Sequence, residues 1–454
     1  MGRRGTDVSS SQLEEIAALV AEHGIHTVEV AITDTFGHPR GKRVPAERFV
    51  RTVAEHGAHI ADAIYVMDVQ CDIVDAPAIN MGTGFLDMHL EPDLATFRVM
   101  KHRPGYATVM SVGIDHTHKP HPIDPRHVLA RQVERVRALG YDPIAATELE
   151  CYICRPDWSP VQDNVQYSSL VDNVELEVCV AEMRTALLDL GIPIESSNPE
   201  YGPGQLEINF AAADPMRTAD NTVLFKQTIK EIARRHDWRA TFMPKPFAGQ
   251  SGNGMHVHTS LSKDGRNVFA EGDGHPLNEV MRHWVGGLVH HATALSLVGI
   301  PIGNGYKRVR TYSFCPTHVH WGLDNRSVLC RCTVGQGLAN RVEYRAAGAD
   351  ANPYLIIGAL LAAGADGLER RLDPGPVAEG DQYADPGRHR ALPATYAEGL
   401  AAFEAGDLAD QLGTEFSENF LALVRNEVKL YEANAVGDAD DVAPWEFARY
   451  VEFS

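Results

Sequence analysis

The chain has 454 residues, 44% of them apolar and 22% charged, a composition suited to a soluble globular enzyme with room for two domains. Its formal net charge of -20 opposes binding to nucleic acid or to an anionic membrane surface, since both require a basic face. The opening Met-Gly-Arg-Arg-Gly-Thr-Asp lacks the apolar run of a secretory signal, so a cytoplasmic location is expected.

In chain order, Ser11-Gln-Leu-Glu14 has the form of a capping box and predicts a helix that stops at Gly24. Thr27–Thr33 alternates apolar and polar residues, turns at Asp34-Thr-Phe-Gly37 and resumes to Val44, the pattern of a hairpin. Residues 87–110 mix short strand-like runs with turns, and this opening region predicts a small α+β domain. Asp124-Pro125 caps an amphipathic helix with Val128, Leu129, Val133, Val136 and Leu139 on one stripe and Gly140 at its end. The domain boundary is placed near residue 118, in His-Lys-Pro-His-Pro, which divides the chain into 1–118 and 119–454. Beyond it, strands alternate with helices predicted over 174–190 and 278–298. The apolar stretch at 354–363 is too short to span a bilayer and predicts a buried helix. Cys71, Cys151, Cys154, Cys179, Cys315, Cys330 and Cys332 make an odd set without framework spacing, as a reducing compartment allows; the Cys151/Cys154 pair continues an apolar strand and reads as core.

Four short segments carry chemistry: Glu148-Leu149-Glu150, Glu200-Tyr-Gly-Pro-Gly-Gln-Leu-Glu207, His256-Val257-His258 and Glu343-Tyr344-Arg345. In three of them polar residues stand at i and i+2 around an apolar or aromatic one, so on a strand both polar side chains share a face and the middle one enters the core. Several carboxylates with imidazole on inward-facing strands suit octahedral Mg²⁺ or Mn²⁺, and the thiolate pattern of a structural zinc site is absent. Glycines 249, 252 and 254, ahead of His256, allow close backbone approach to a ligand. Arg308, Arg326, Arg331, Arg341 and Arg345 supply guanidinium forks for carboxylate or phosphate, although they could equally pair with the many acids of this chain.

Six ordered motifs then carry a resemblance: Ala-Thr-Glu-Leu-Glu; Glu-Tyr-Gly-Pro-Gly-Gln-Leu-Glu; Phe-Met-Pro-Lys-Pro with Gly-Met-His-Val-His-Thr-Ser; Tyr306-Lys-Arg308; Asn325-Arg-Ser; and Ala349-Asp-Ala-Asn-Pro-Tyr354. The chain resembles the type I glutamine synthetase superfamily over essentially its whole length. The resemblance implies an α+β fold: a small N-terminal β-grasp domain and a larger catalytic domain with a curved antiparallel sheet flanked by helices. It implies two or three Mg²⁺ or Mn²⁺ ions, one held by Glu150, Glu200 and Glu207 and a second by Glu148, His256 and Glu343. It puts Glu195, His258, Ser260, Arg331 and Arg341 at ATP, and Gly252, Arg308 and Arg345 at L-glutamate. Arg326 falls where an arginine steadies the transferred phosphoryl group, and Arg326, Glu200, Asp62 and Tyr167 are the catalytic candidates. A homo-oligomer of two stacked hexameric rings, a dodecamer with active sites between subunits, also follows from it.

Departures from the family pattern redirect the expected substrate. The flap glutamate that helps to deprotonate ammonium falls on Phe314, Ser251 replaces an asparagine before Gly252, and Leu338 replaces a nucleotide-site lysine. Tyr167 and Asp62 remain at positions of the ammonium pocket. A phenyl ring cannot take a proton from ammonium, but it can line a pocket for a substituted amine. The expected activity is therefore an ATP-dependent ligase that joins the γ-carboxyl of glutamate to a primary organic amine, with Phe314, Tyr167 and Asp62 around the amine. The His318-Val-His320 run adds to the expected pocket wall. The alternatives are an ammonia-dependent glutamine synthetase with an atypical flap, a phosphagen-type kinase and a catalytically silent homologue.

Overall fold

The computed structural model describes residues 10–165, 167–171, 174–384, 389–436 and 441–454, so the opening segment read above for a signal lies outside the described residues. The first sheet contains β1 (Thr27–Thr33), β2 (Pro39–Pro45), β3 (Ala58–Ala61), β4 (Asp87–Pro92), β5 (Arg98–Val99) and β6 (Tyr106–Ile114). Its order is β2-β1-β6-β4-β3, with β5 also on β6. The predicted hairpin is present as the β1–β2 antiparallel pair, and β1 runs parallel to β6. This is the small N-terminal α+β unit expected, with the helix Ser10–Glu22 ahead of it. That helix begins at Ser10, so Ser11 lies inside its first turn rather than at its N-cap, and Gly24 at φ +58° follows its end as expected.

The second sheet has nine strands: β7 (Asp142–Cys154), β8 (Ile194–Pro199), β9 (Gln205–Phe210), β10 (Arg239–Thr241), β11 (Met255–Lys263), β12 (Arg266–Asn267), β13 (Trp321–Leu323), β14 (Cys330–Thr333) and β15 (Arg341–Tyr344). Its order is β13-β14-β15-β11-β7-β9-β8, with β10 on β7 and β12 on β11, and every ladder is antiparallel except β13–β14. Along the first part of β7 buried and half-buried residues alternate, which puts Leu149 in the core and Glu148 and Glu150 on the opposite face. From Cys151 to Cys154 the strand is buried throughout, and burial pushes the Cys154 thiol up to about 12. The pair is therefore core, as its apolar context predicts.

Helices cover the other side of this sheet. In Pro125–Ala138 the Asp124 carboxylate accepts from Arg126 N at 2.8 Å and proline occupies the first turn, as predicted. Pro353–Arg370 is buried from Pro353 through Gly367 and packs against both Pro125–Ala138 and Glu279–His290. The single helix expected over 278–298 is two, Glu279–His290 and Ala292–Gly299, with His291 in a non-helical conformation (φ -86°, ψ 3°) at the break. The buried His291 ring hydrogen-bonds Asp366 there at 2.8 Å, a tertiary contact that the apolar periodicity does not encode.

One hydrophobic core runs through both sheets, from Val30 on β1 through Leu149 on β7 to Phe403. Polar ties reinforce it: Arg126 reaches Asp93 (2.7 Å) and Asp220 (3.0 Å), and Asn352 Nδ2 donates to the carbonyls of Asp34 and Thr35 at 3.1 Å. The catalytic-type sheet is thus braced from below, and its open face carries the polar rows. Among the described residues no helix is long and apolar enough to cross a membrane.

Candidate active site

Strand register assembles the site. His256 lies opposite Glu148 across β11–β7, Glu150 opposite Glu207 across β7–β9, and His258 opposite Glu343 across β11–β15. Glu343 in turn faces Arg331 on β14. Residues almost two hundred positions apart therefore meet on one face because each strand contributes alternate side chains to it.

Two groups of candidate metal ligands result. In the first, ligand atoms of Glu148, His256 and Glu343 lie within 4.8 Å of one another. His256 Nδ1 is 3.4 Å from Glu148 Oε2 and 3.6 Å from Glu343 Oε1, and His258 Nε2 is 2.9 Å from Glu148 Oε1. Burial alone would raise the Glu148 carboxyl, but the hydrogen bonds and charge of the two histidines hold it far below the ordinary carboxylate range. Glu343 is buried too, yet His256, Arg345 and His258 hold it at about 2. Both therefore stand ready as anions.

The second group behaves in the opposite sense. Glu150 Oε2 accepts from the backbone N–H of Gly254 at 2.7 Å, Asn198 Nδ2 donates to Glu200 at 3.0 Å, and Asn209 Nδ2 donates to Glu207 at 2.9 Å. Burial, then the charges of Glu150 and Glu207, push the Glu200 carboxyl up to about 8, and Glu207 is raised by burial and by Glu148. Three crowded carboxyls, with Glu200 and Glu207 raised in proton affinity, are a donor set that fits a hard divalent ion. Asn209 stands two residues from Glu207 on β9, where the i,i+2 rule points to it, while Asn198, near the end of β8, reaches Glu200 just beyond that strand.

Arginines frame the anionic face. Arg331 Nη1 donates to Glu343 Oε2 at 2.7 Å and its Nη2 to Asp324 at 3.1 Å, while Arg345 pairs with Glu343 Oε1. Arg341 Nε donates to His258 Nδ1 at 3.2 Å, and Ser260 follows two residues along β11, buried on the same face. Glu195 is exposed at the β-bulge of the edge strand β8. Arg326 is exposed on the turn between β13 and β14, which is pinned by Asn325 Nδ2 to Gly380 O at 2.8 Å. Leu338 is exposed in a short turn before β15.

The glycine-rich approach to β11 has a steric purpose. A Cβ at Gly252 would fall 2.7 Å from both Arg308 Cγ and Pro244 O, and one at Gly254 would fall 2.8 Å from Arg308 Nη2. The Arg308 guanidinium therefore runs directly over this backbone, with Nη1 on Ala346 O at 3.2 Å. The carbonyl of Ser251 is held by the Tyr152 hydroxyl at 2.8 Å.

An aromatic ladder closes the face near Glu200. Tyr167 packs against Tyr201 with centroids 5.5 Å apart and rings tilted by 48°, and Tyr201 against Phe314 at 5.8 Å and 53°. All three are about half exposed (55%, 51% and 53%). Phe314 has φ +61°, an uncommon conformation for a bulky residue, in a loop where Ser313 Oγ donates to the carbonyls of Arg308 and Arg310 at 2.7 Å. Tyr201, the residue after Glu200 in its motif, joins the two residues expected at the amine. His318 and His320 lie apart from this ladder, with His320 against His389. Asp62 is in the N-terminal unit: it opens the short turn after β3, buried near Leu86, Asp87 and His116, and burial raises its carboxyl.

Residues 122–450 match the family described as glutamine synthetase, catalytic domain. The chain belongs to the glutamine synthetase family. It is 34% identical to a glutamate–isopropylamine ligase from a Pseudomonas species, over 98% of this chain and 99% of that one. A gamma-glutamylethanolamide synthetase of Streptomyces coelicolor is 34% identical over 97% of this chain and 96% of its own length. Glutamine synthetases, including that of Thermus thermophilus at 34% over 80% of this chain and 85% of its own length, are also similar. A GmaS structure in complex with ADP superposes with a TM-score of 0.83 at 28% identity, covering 95% of this chain and 98% of that one. The protein is accordingly an ATP-dependent ligase of glutamine synthetase type, in a family that uses divalent metal ions.

Proposed function

We propose that the protein joins the γ-carboxyl of L-glutamate to a primary organic amine, giving a γ-glutamyl amide, ADP and phosphate. The observation that carries this reading is the Tyr167–Tyr201–Phe314 ladder beside Glu200, an apolar aromatic wall where an ammonia site would have an acid. Relatives named for isopropylamine and ethanolamide ligation support it.

The roles follow from charge and position. A glutamate carboxylate oxygen attacks the γ-phosphorus of ATP, the bond to the ADP oxygen breaks, and an acyl phosphate forms. The amine nitrogen then attacks that carbonyl, phosphate leaves, and the surplus amine proton passes to a carboxylate. Glu150, Glu200 and Glu207 would hold one divalent ion and Glu148, His256 and Glu343 another; these ions supply positive charge at the transferring phosphoryl oxygens. His258, Ser260, Arg331, Arg341 and Glu195 would bind the nucleotide. Arg308, whose side chain packs over Gly252, and Arg345 present guanidinium to the glutamate carboxylates, with Gly252 beside them at the glutamate. Arg326, on its exposed turn, would neutralise the phosphoryl group in flight. Asp62 serves as proton acceptor only if the N-terminal domain of a neighbouring subunit supplies it, as in the expected double-ring assembly.

The test is phosphate release with glutamate, ATP and a panel of amines, ammonium included, at equal concentration. At least one alkyl or aryl amine should give a higher kcat/KM than ammonium. Efficient glutamine formation with no organic amine accepted would return the protein to the ammonia-dependent branch.

A further inference from the structure

We infer that His290, His291 and Asp407 form a second metal site, of zinc type, on the helical side of the molecule and separate from the acidic face of the sheet. Their ligand atoms lie within 4.8 Å of one another. His290 ends the helix Glu279–His290, His291 occupies the break after it, and Asp407 caps the short helix Leu408–Leu412. The two imidazoles stand nearly perpendicular, with centroids 4.7 Å apart.

The hydrogen bonding of His291 makes the case. Its Nε2 lies 2.8 Å from Asp366 Oδ2, and both side chains are almost completely buried. A carboxylate accepting from Nε2–H fixes the tautomer and leaves Nδ1 with a lone pair. Asp407 Oδ1 lies 3.1 Å from that nitrogen. Two electron-rich atoms at that distance need a cation between them. A proton would satisfy two donors, but a third converges: His290 Nε2 stands 3.8 Å from the same Asp407 oxygen. Edges of 3.1 and 3.8 Å bracket the roughly 3.3 Å expected between ligands of a tetrahedral ion with bonds of about 2.0–2.1 Å. Arg370 contacts the other Asp407 oxygen, Oδ2, at 3.1 Å and Asp366 at 2.8 Å, so it balances charge without covering Oδ1. The half-exposed His290 and Asp407 leave the fourth position to water. Mixed imidazole and carboxylate donors, backed by a carboxylate–histidine pair, favour Zn²⁺ over Mg²⁺. An ion here would clasp the helix break to the turn at Asp407 and to Pro353–Arg370.

The experiment uses the full-length protein, stripped of metal and then held in saturating Mg²⁺ so that the sheet sites are occupied. Zinc is added, the protein is desalted, and bound zinc is measured alongside thermal unfolding for wild type, His290→Ala and Asp407→Asn. Both substitutions fall at half-exposed positions, which keeps the fold intact. Wild type should retain about one zinc per chain more than either variant, each of which should bind it at least ~10-fold more weakly. Zinc should also raise the Tm of wild type only. Cobalt in place of zinc should give the visible absorption of a tetrahedral site in wild type and lose it in His290→Ala. No zinc retained by wild type, or equal zinc in all three proteins, would overturn the proposal, the first outcome meaning that a proton holds the His291–Asp407 pair.

Discussion

Phe314 holds an uncommon backbone conformation and presents half its surface to solvent, with Tyr201 tilted against its ring. An amine with an alkyl or aryl body would gain about 0.8 kcal/mol for each CH₂ buried against such a ring, whereas ammonium gains nothing. Two or three methylenes give roughly 10- to 100-fold discrimination in kcat/KM. Phe314→Glu should reverse the preference by installing a carboxylate that can bind ammonium and accept its proton; competition between ammonium and the best organic amine reads this directly. Tyr201→Ala should lower kcat/KM for the organic amine by about 10-fold while leaving any ammonium-dependent rate nearly unchanged, since only the former uses the aromatic wall. Phe314 was legible in the sequence because a motif fixed its position. Tyr201 was not, since aromatic stacking across two loops leaves no periodic trace.

At the scale of the strand, the site is a consequence of register. Glu148, Glu150, His256, His258 and Glu343 could be read as one face from their i,i+2 spacing, and β7, β11 and β15 do align them. What spacing could not give is the split in proton affinity between Glu148 and Glu343, held low by histidines and arginine, and Glu200 and Glu207, raised by burial and by other carboxylates. Glu200, raised to about 8 by burial and by Glu150 and Glu207, holds a proton in the metal-free fold at neutral pH. Because its folded pKa lies above the ordinary 4.5, its contribution to stability is present at low pH and is lost as pH rises through about 8. A divalent ion takes the place of that proton. The increase in Tm on adding Mn²⁺ should therefore be larger at pH 8.5 than at pH 6, and binding near pH 7 should release protons, measurable by calorimetry in buffers of different ionisation enthalpy. An increment independent of pH would show that Glu200 is not a ligand. Glu150→Gln or Glu207→Gln should lower turnover by several orders of magnitude at saturating metal with the fold retained, since each removes one negative ligand. The break at His291 marks the limit of reading by element: apolar periodicity continues through it, and only the buried Asp366 partner on another helix explains why the backbone turns there.

At the scale of the whole molecule, Asp62 is a buried acid just after β3, near Leu86, Asp87 and His116, whereas Tyr167, Tyr201 and Phe314 form their ladder in loops beside Glu200. Close to Tyr167, Leu170 and Val171 are more than nine-tenths exposed, and Val174 and Val178 continue the apolar surface. A patch of this kind on an otherwise acidic protein is suited to contact with another subunit. If neighbouring subunits share each active site, Asp62 of one would serve the amine mouth of the next, and two crippled chains should complement each other. Asp62→Asn and Glu150→Gln proteins should each be strongly impaired alone. Co-expressed at equal levels, they should form mixed rings in which roughly a quarter of the sites combine an intact Asp62 with an intact Glu150, and activity should recover to about that fraction of wild type. Mixing the finished homo-oligomers without exchange should restore nothing. Recovery absent from verified mixed oligomers would confine each active site to one chain and leave the amine proton to a residue other than Asp62.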